Sequence, residues 1–201
     1  MDNFRLRTSD FATYIGINPW KSRQRLFREL TGRQERDPLN SNMQWGIDNE
    51  HRAVAAAEAA TGVLFQATGK NQKNMRREMR EHNLLLSSTP DGATFGQYGH
   101  STGLEVKCPK RIYPFIPSHY MAQVQGQMLV CGFDEVVFGC WVPGRARIWR
   151  VPRSEEYHEW MIPFLQQFRD AMIFDMQPGR RKKPTPPEVQ VTLIMGKEEE
   201  E

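Results

Sequence analysis

Residues 87–110 read SSTPDGATFGQYGHSTGLEVKCPK, and this stretch decides the fold. Leu104, Val106 and Cys108 alternate with Glu105 and Lys107. That period of two predicts a β-strand with one apolar face and one face carrying Glu105 beside Lys107. Asp91 precedes Gly92, and the glycine-rich segment up to Gly103 holds no apolar run. The chain is therefore expected to double back there and bring Asp91 beside Glu105. Two converging carboxylates and one ammonium suit a hard divalent cation, with the lysine placed to orient water. Pro109 lacks an amide hydrogen and is expected to end the strand just past this cluster.

The order Pro90-Asp91, then Glu105-Val106-Lys107, resembles the PD-(D/E)xK nuclease signature. Taken alone, aspartates at hairpins and E-x-K on amphipathic strands are common as solvated surface. The rest of the chain has to decide.

At 201 residues the length predicts one domain, residues 1–177, followed by a basic, proline-rich linker and strand-like tail over 178–201. A formal charge of +3 permits nucleic-acid binding without requiring it, because what matters is where the charge clusters. The three cysteines, Cys108, Cys131 and Cys140, form no C-x-x-C pair, which argues against a disulfide framework, a zinc ribbon or an iron–sulfur cluster. The five histidines lack ligand spacing, no apolar run is long enough to span a bilayer, and Met1-Asp2-Asn3 does not open a signal peptide. A cytoplasmic protein without membrane contact is expected.

In chain order, Ser9 is expected to cap a short helix ending at Gly16, and Ser22 a second one over 23–30, joined by the turn Asn18-Pro19-Trp20-Lys21. Arg5, Arg7, Lys21, Arg23, Arg25 and Arg28 make a first basic cluster, and charge on a helix is ordinarily a solvated surface. Trp20 beside Lys21 on a turn favours ligand contact over core packing. Residues 43–61 predict a strong helix whose face of Gly46, Ala53 and Ala57 carries one charge, Glu50, which needs a partner if buried. Residues 63–67 and 84–88 read as strands. Ser118 is expected to cap a helix with Tyr120, Gln123 and Gln127 on one face, while Gln125 points elsewhere. Residues 135–142 and 147–151 flank Pro143-Gly144 as a hairpin, and a last amphipathic helix starts after Ser154 and runs to about Met176.

With Trp45-Gly46 and Glu50, Thr89-Pro90-Asp91-Gly92, Leu104-Glu105-Val106-Lys107-Cys108-Pro109 and Tyr120-Met121-Ala122-Gln123-Val124-Gln125, the chain resembles the YqaJ/lambda-type phage recombination exonucleases over residues 5–142. The resemblance implies an α/β (α+β) fold: a central mixed sheet flanked by helices around a restriction-endonuclease-like core. It implies Mg²⁺, with Mn²⁺ as a substitute and two ions per site, and 5′→3′ digestion of one strand of linear double-stranded DNA. A ring-shaped homotrimer and a single-strand annealing protein as partner are implied as well. Residue by residue, Asp91, Glu105 and the Val106 carbonyl would hold the metal, with Glu50 holding it or its water. Lys107 would orient and help deprotonate the attacking water, and Gln123 would hold water or the scissile phosphate. Ser9 and Thr89 match a 5′-phosphate pocket. The pocket's arginine has no clear match here, so Arg5 or Arg7 is expected to substitute, with Trp20 and Lys21 as further DNA contacts. Glu81, Tyr120 and Gln125 complete the candidates. A structure-specific or restriction-type endonuclease, or a non-catalytic DNA-binding subunit, are the alternatives on the same core.

Overall fold

A computed structural model describes residues 4–96 and 100–196. β1 (Arg5–Arg7) leads through a 3-10 turn (Thr8–Asp10) into α1 (Phe11–Ile15) and α2 (Arg23–Leu30), and a polar linker precedes α3 (Ser41–Thr61). After a second 3-10 segment (Gly69–Met75) come β2 (Arg77–Glu81), β3 (Leu84–Ser88), β4 (Gly92–Phe95) and β5 (Ser101–Lys107). The chain closes with α4 (Ser118–Cys131), β6 (Glu135–Val142), β7 (Arg145–Pro152), α5 (Glu155–Ile173) and β8 (Thr192–Met195).

Two mixed sheets result. The larger has the order β4-β5-β6-β7-β8, with β5 and β6 parallel and the other pairs antiparallel. The smaller has the order β1-β3-β2, with β1 parallel to β3. Local chemistry sets the helix ends. Asn40 accepts hydrogen bonds from the Asn42 and Met43 amides to open α3, and Gly62 closes it at φ +70°. Ser22 and Ser154 cap α2 and α5 in the same way, through the Arg25 and Tyr157 amides.

The large sheet is covered on both faces. On one, Ala53, Val54 and Ala57 of α3 pack on Leu104, Val106, Val137 and Ile148. On the other, Val124 and Met128 of α4 and Tyr157, Met161 and Phe168 of α5 pack over Phe138, Trp149 and Val151. Each fully buried Val, Leu, Ile, Met or Phe among them contributes about 1.5–3 kcal/mol. Small residues permit this closeness: a Cβ on Gly126 would lie 2.6 Å from the Phe11 ring, so α4 can seat against α1 only with glycine there.

Several expectations change. The face of β5 that carries Glu105 is not open to solvent, because α4 lies over it and Glu105 is 1% exposed. Residues 63–67 form no strand; Gln66 makes a single bridge to Ala93, since Phe65 turns inward to the α3 cluster while Leu64 stays exposed. Ser118 starts α4 rather than capping it: Pro117 is the cap residue, and no side chain caps this end. Ser9 sits inside the 3-10 turn, and α1 likewise lacks a side-chain cap. The last helix stops at Ile173, where Asp175 takes a positive φ. The hairpin strand over 147–151 is longer, Arg145–Pro152. β1 and β2 went unpredicted. The tail is indeed strand-like, and it joins the large sheet as β8 beside β7. The acidic residues 198–201 and residues 97–99, within the stretch expected to turn back, lie outside the described residues.

Candidate active site

β4 and β5 form the hairpin that carries the site. The Asp91 amide donates to the Leu104 carbonyl at 2.9 Å, and the Val106 amide donates back to Asp91 Oδ2 at 2.8 Å. This two-way clamp fixes the Asp91 carboxylate against β5. Gly92 follows because a Cβ there would meet Thr68 and Phe65 at 2.9 and 3.1 Å.

Glu105 is saturated with donors. Gln123 Nε2 donates to its Oε1 at 2.7 Å, the Lys107 ammonium donates to the same oxygen, and Gln127 Nε2 donates to Oε2. The period of the helix puts Gln123 and Gln127 one turn apart on the face of α4 that meets β5. Glu50 reaches the same place from α3. The Gln72 amide bridges it to Asp91, donating to Glu50 Oε1 and, at 3.2 Å, to Asp91 Oδ1.

The electrostatics show what this cluster lacks. Burial, then the nearby Glu105 carboxylate, pushes Asp91 well above the ordinary aspartate range. The same two causes raise Glu50. Burial alone would lower Lys107, but Glu105 and Asp91 reverse this and hold it as an ammonium. Such a lysine donates hydrogen bonds and positive charge to the groups around it. Three carboxylates against one ammonium leave a net negative charge in a low-dielectric site, which favours a bound cation. Among the described residues no three Asp, Glu, His or Cys side chains are grouped tightly enough to cage a metal as they stand. Gln72 stands between Glu50 and Asp91, its amide hydrogens taking the place a cation's charge would fill.

Tyr120 lies over the site, its ring 5.2 Å from Lys107 Nζ. Beside it is a cavity of about 460 Å³ lined by Arg5, Arg7, Ser9, Arg76, Thr89 and Gln123, together with Thr8 and the β3 serines. Thr8 Oγ1 donates to Ser88 Oγ at 3.1 Å, tying the 3-10 turn to β3. Four residues expected at a phosphate pocket thus line one cavity with catalytic candidate Gln123. Arg5 and Arg76 both reach Glu78, at 3.1 and 3.3 Å, and Arg7 reaches Asp10 at 3.0 Å.

Other candidates fall elsewhere. Glu81 pairs with Leu84 at the far end of the β2–β3 hairpin, exposed and beside His82. Gln125 holds α4 to the end of β7, donating to the Pro152 carbonyl and accepting from the Ser154 amide. Trp20 and Lys21 lie outside the small cavity; they line a separate groove. Gln72 and Arg76 were missed. Both sit in a stretch of charge with no apolar period, which carries no sequence signal for them.

The comparisons agree with this architecture. Residues 5–134 match the YqaJ-like viral recombinase domain. No curated protein matches the chain. Among solved structures, an alkaline exonuclease (LHK-Exo) from Laribacter hongkongensis is similar, with 20% identity, 86% of this chain and 89% of that chain covered, and a TM-score of 0.66. A phage-related exonuclease from Haemophilus somnus 129PT shares 14% identity over 86% of this chain and 96% of its own, with a TM-score of 0.60. At such identities the likeness is one of fold, a mixed α/β core. The match to the recombinase domain spans well over half of the sequence and takes in Glu50, Asp91, Glu105, Lys107 and Gln123, so the chain belongs to the YqaJ-like viral recombinase domain family.

Proposed function

We propose that the chain is a Mg²⁺-dependent exonuclease that digests one strand of linear double-stranded DNA from its 5′ end, leaving 3′ overhangs for recombination by annealing. The observation that carries this reading is the convergence of Asp91, Glu105, Lys107, Glu50 and Gln123 beside the cavity lined by Arg5, Arg7, Ser9 and Thr89. Family membership and the likeness in fold to an alkaline exonuclease and a phage-related exonuclease support it.

Asp91, Glu105 and the Val106 carbonyl would hold the metal, with Glu50 on it or its water. A bound divalent cation would lower the pKa of its water and offset charge at phosphorus. Everything else falls to the chain's own groups. Were Glu50 and Asp91 both to hold the cation, the Gln72 amide that now donates to each of them would have to give way. Gln123 and Gln127 fix the orientation of Glu105, and the Lys107 ammonium presents a proton and a positive charge toward the attacking water and the phosphate oxygens. The paired arginines and the hydroxyls of Ser9 and Thr89 would receive the 5′-phosphate and so place the first phosphodiester at the carboxylates. Contacts confined to phosphate suit digestion regardless of sequence.

Digestion of end-labelled linear duplex with Mg²⁺, compared with covalently closed circular DNA, tests this. Mononucleotide release from the 5′-labelled strand of the linear form alone is expected. Cutting of the closed circle makes the protein an endonuclease. Assembly is proposed as a homotrimer ring working with a single-strand annealing protein, and a monomer mass by light scattering contradicts the ring.

A further inference from the structure

The α1–α2 turn and segment 177–181 enclose a groove of about 810 Å³. Its walls carry Lys21, Arg23, Arg25, Arg28, Arg180 and Arg181, and no acidic side chain lines it among the described residues. Most of these cations are already engaged. Lys21 and Arg25 hold the buried Glu29 at 2.6 and 3.0 Å, and Arg28 donates to Gln34 at 3.0 Å. Arg181 caps the Ile15 carbonyl, donates to Gln167 at 3.1 Å, and lies 4.2 Å over the Phe164 ring.

Arg23 is different. It is 8% exposed, and among the described residues no hydrogen bond or ion pair engages it. Its Nε is sealed off without a partner, and its stem packs over Gly16 next to the Arg181 guanidinium. Burial, then Arg181, pulls it down to about 10. A partly enclosed guanidinium whose Nε is sealed off, facing a second guanidinium, gains from an anion that joins them. α2 begins at Arg23, so the positive end of its dipole adds to the same field.

We propose that this groove is a second phosphate-binding site, in which Arg23, with Arg180 at the rim and the charge of Arg181 behind it, seats a backbone phosphate of DNA. The fork of a guanidinium matches a phosphodiester's two free oxygens. Nucleic acid is favoured over an acidic peptide by the rim. Trp20, 67% exposed, projects there, and its ring meets His119 edge-on at 4.6 Å. His119 lies 4.1 Å from the Tyr120 ring, which covers Lys107. A line of rings thus joins the groove to the catalytic lysine, and aromatic faces beside a cationic groove are how proteins track a strand. Segment 177–181 supplies one wall, which gives the stretch before β8 a role in holding substrate.

The proposal rests on the reading of the chain as a DNA enzyme, but its test needs no cleavage. Fluorescence anisotropy in EDTA is run with a short oligothymidylate, a hairpin duplex and a poly-glutamate of matched length, on the full chain. Arg23→Met is compared with Arg180→Glu; the second changes an exposed rim residue and so leaves folding intact. Each is expected to weaken DNA binding about tenfold or more and to lower the salt slope by about 1. Arg23→Met is also expected to melt at a higher temperature than the parent without DNA, since it removes a sealed, unpartnered Nε and the repulsion from Arg181. Whichever DNA loses more identifies the strand state that occupies the groove. Unchanged affinity for both DNAs in both variants overturns the site. An equal loss for poly-glutamate overturns it in favour of an acidic peptide. Failure of the parent to digest linear duplex with Mg²⁺ removes the proposed nuclease function and leaves the binding result standing.

Discussion

The hairpin at β5 and the groove at the α1–α2 turn are opposites in charge. At β5, Asp91, Glu50 and Glu105 crowd together against a single ammonium, and neutral amides from Gln72, Gln123 and Gln127 supply the other donors. In the groove, Arg23 and Arg181 crowd together with no carboxylate between them. Elsewhere the same chain pairs its charges with care: Glu29 is fully enclosed yet held by Lys21 and Arg25, and Arg33 forks onto Asp175. A fold that can pair Glu29 could have paired Asp91 or Arg23. On the proposed reading, the missing partner comes from outside: a cation on one side, a phosphate on the other.

The largest test of this contrast is at the acidic pole. Asp91→Asn and Glu105→Gln keep shape while removing charge, at the cost of turning one accepting oxygen into an amide group that meets a donor. Each should lower duplex digestion by about a thousandfold or more, about 4 kcal/mol of barrier at 1.36 kcal/mol per tenfold. Near-normal turnover by either variant breaks the assignment. Next comes Gln72. Its removal in Gln72→Ala frees the gap between Glu50 and Asp91, and a rate changed by about 10-fold, with an altered Mg²⁺ requirement, is expected. An unchanged Mg²⁺ titration makes its bridge incidental. Smaller still is Gln127→Met, which strips one donor from buried Glu105 and should cost about 1–3 kcal/mol in urea unfolding. No loss would mean that Glu105 finds another donor.

The smallest effect concerns pH. His119, beside Trp20, is pulled down to about 4, by burial first and then by Lys183 and Lys107. The unfolded chain therefore takes up a proton that the folded site refuses between the ordinary 6.5 and about 4. Stability carried by neutral His119 is complete above pH 6.5 and is lost as pH falls through that window. Melting curves of His119→Gln should show a shallower fall there than those of the parent.

How far the sequence showed this depends on the residues. β5 was legible because Leu104, Val106 and Cys108 alternate with charge, and α3 because its alanines and Gly62 mark a helix, although its start at Ser41 and its Asn40 cap lie in what reads as polar linker. β1 and β2 were not: RLR and REMRE lack an alternating apolar face, and their pairing is set by β3. Residues 63–67 misled because Val63, Leu64 and Phe65 have strand composition, yet only Gln66 finds a backbone partner. Asp91, Glu105 and Lys107 could be read from motif spacing. Gln72 could not, because nothing in a polar 3-10 segment announces which side chain turns inward. Arg23 looked like solvated surface, and only the return of segment 177–181 over α1 buries it.

The claim that unpaired charge marks the metal site has one direct measurement: the melting temperature of the parent and of Asp91→Asn, each with and without Mg²⁺. Without metal, Asp91→Asn should melt higher than the parent, since one of three mutually repelling carboxylates has become neutral. Mg²⁺ should raise the parent's melting temperature by several degrees, as about 100-fold saturation is worth about 2.7 kcal/mol, and leave Asp91→Asn nearly unmoved. A variant that melts lower than the parent without metal, and still responds fully to Mg²⁺, contradicts the claim.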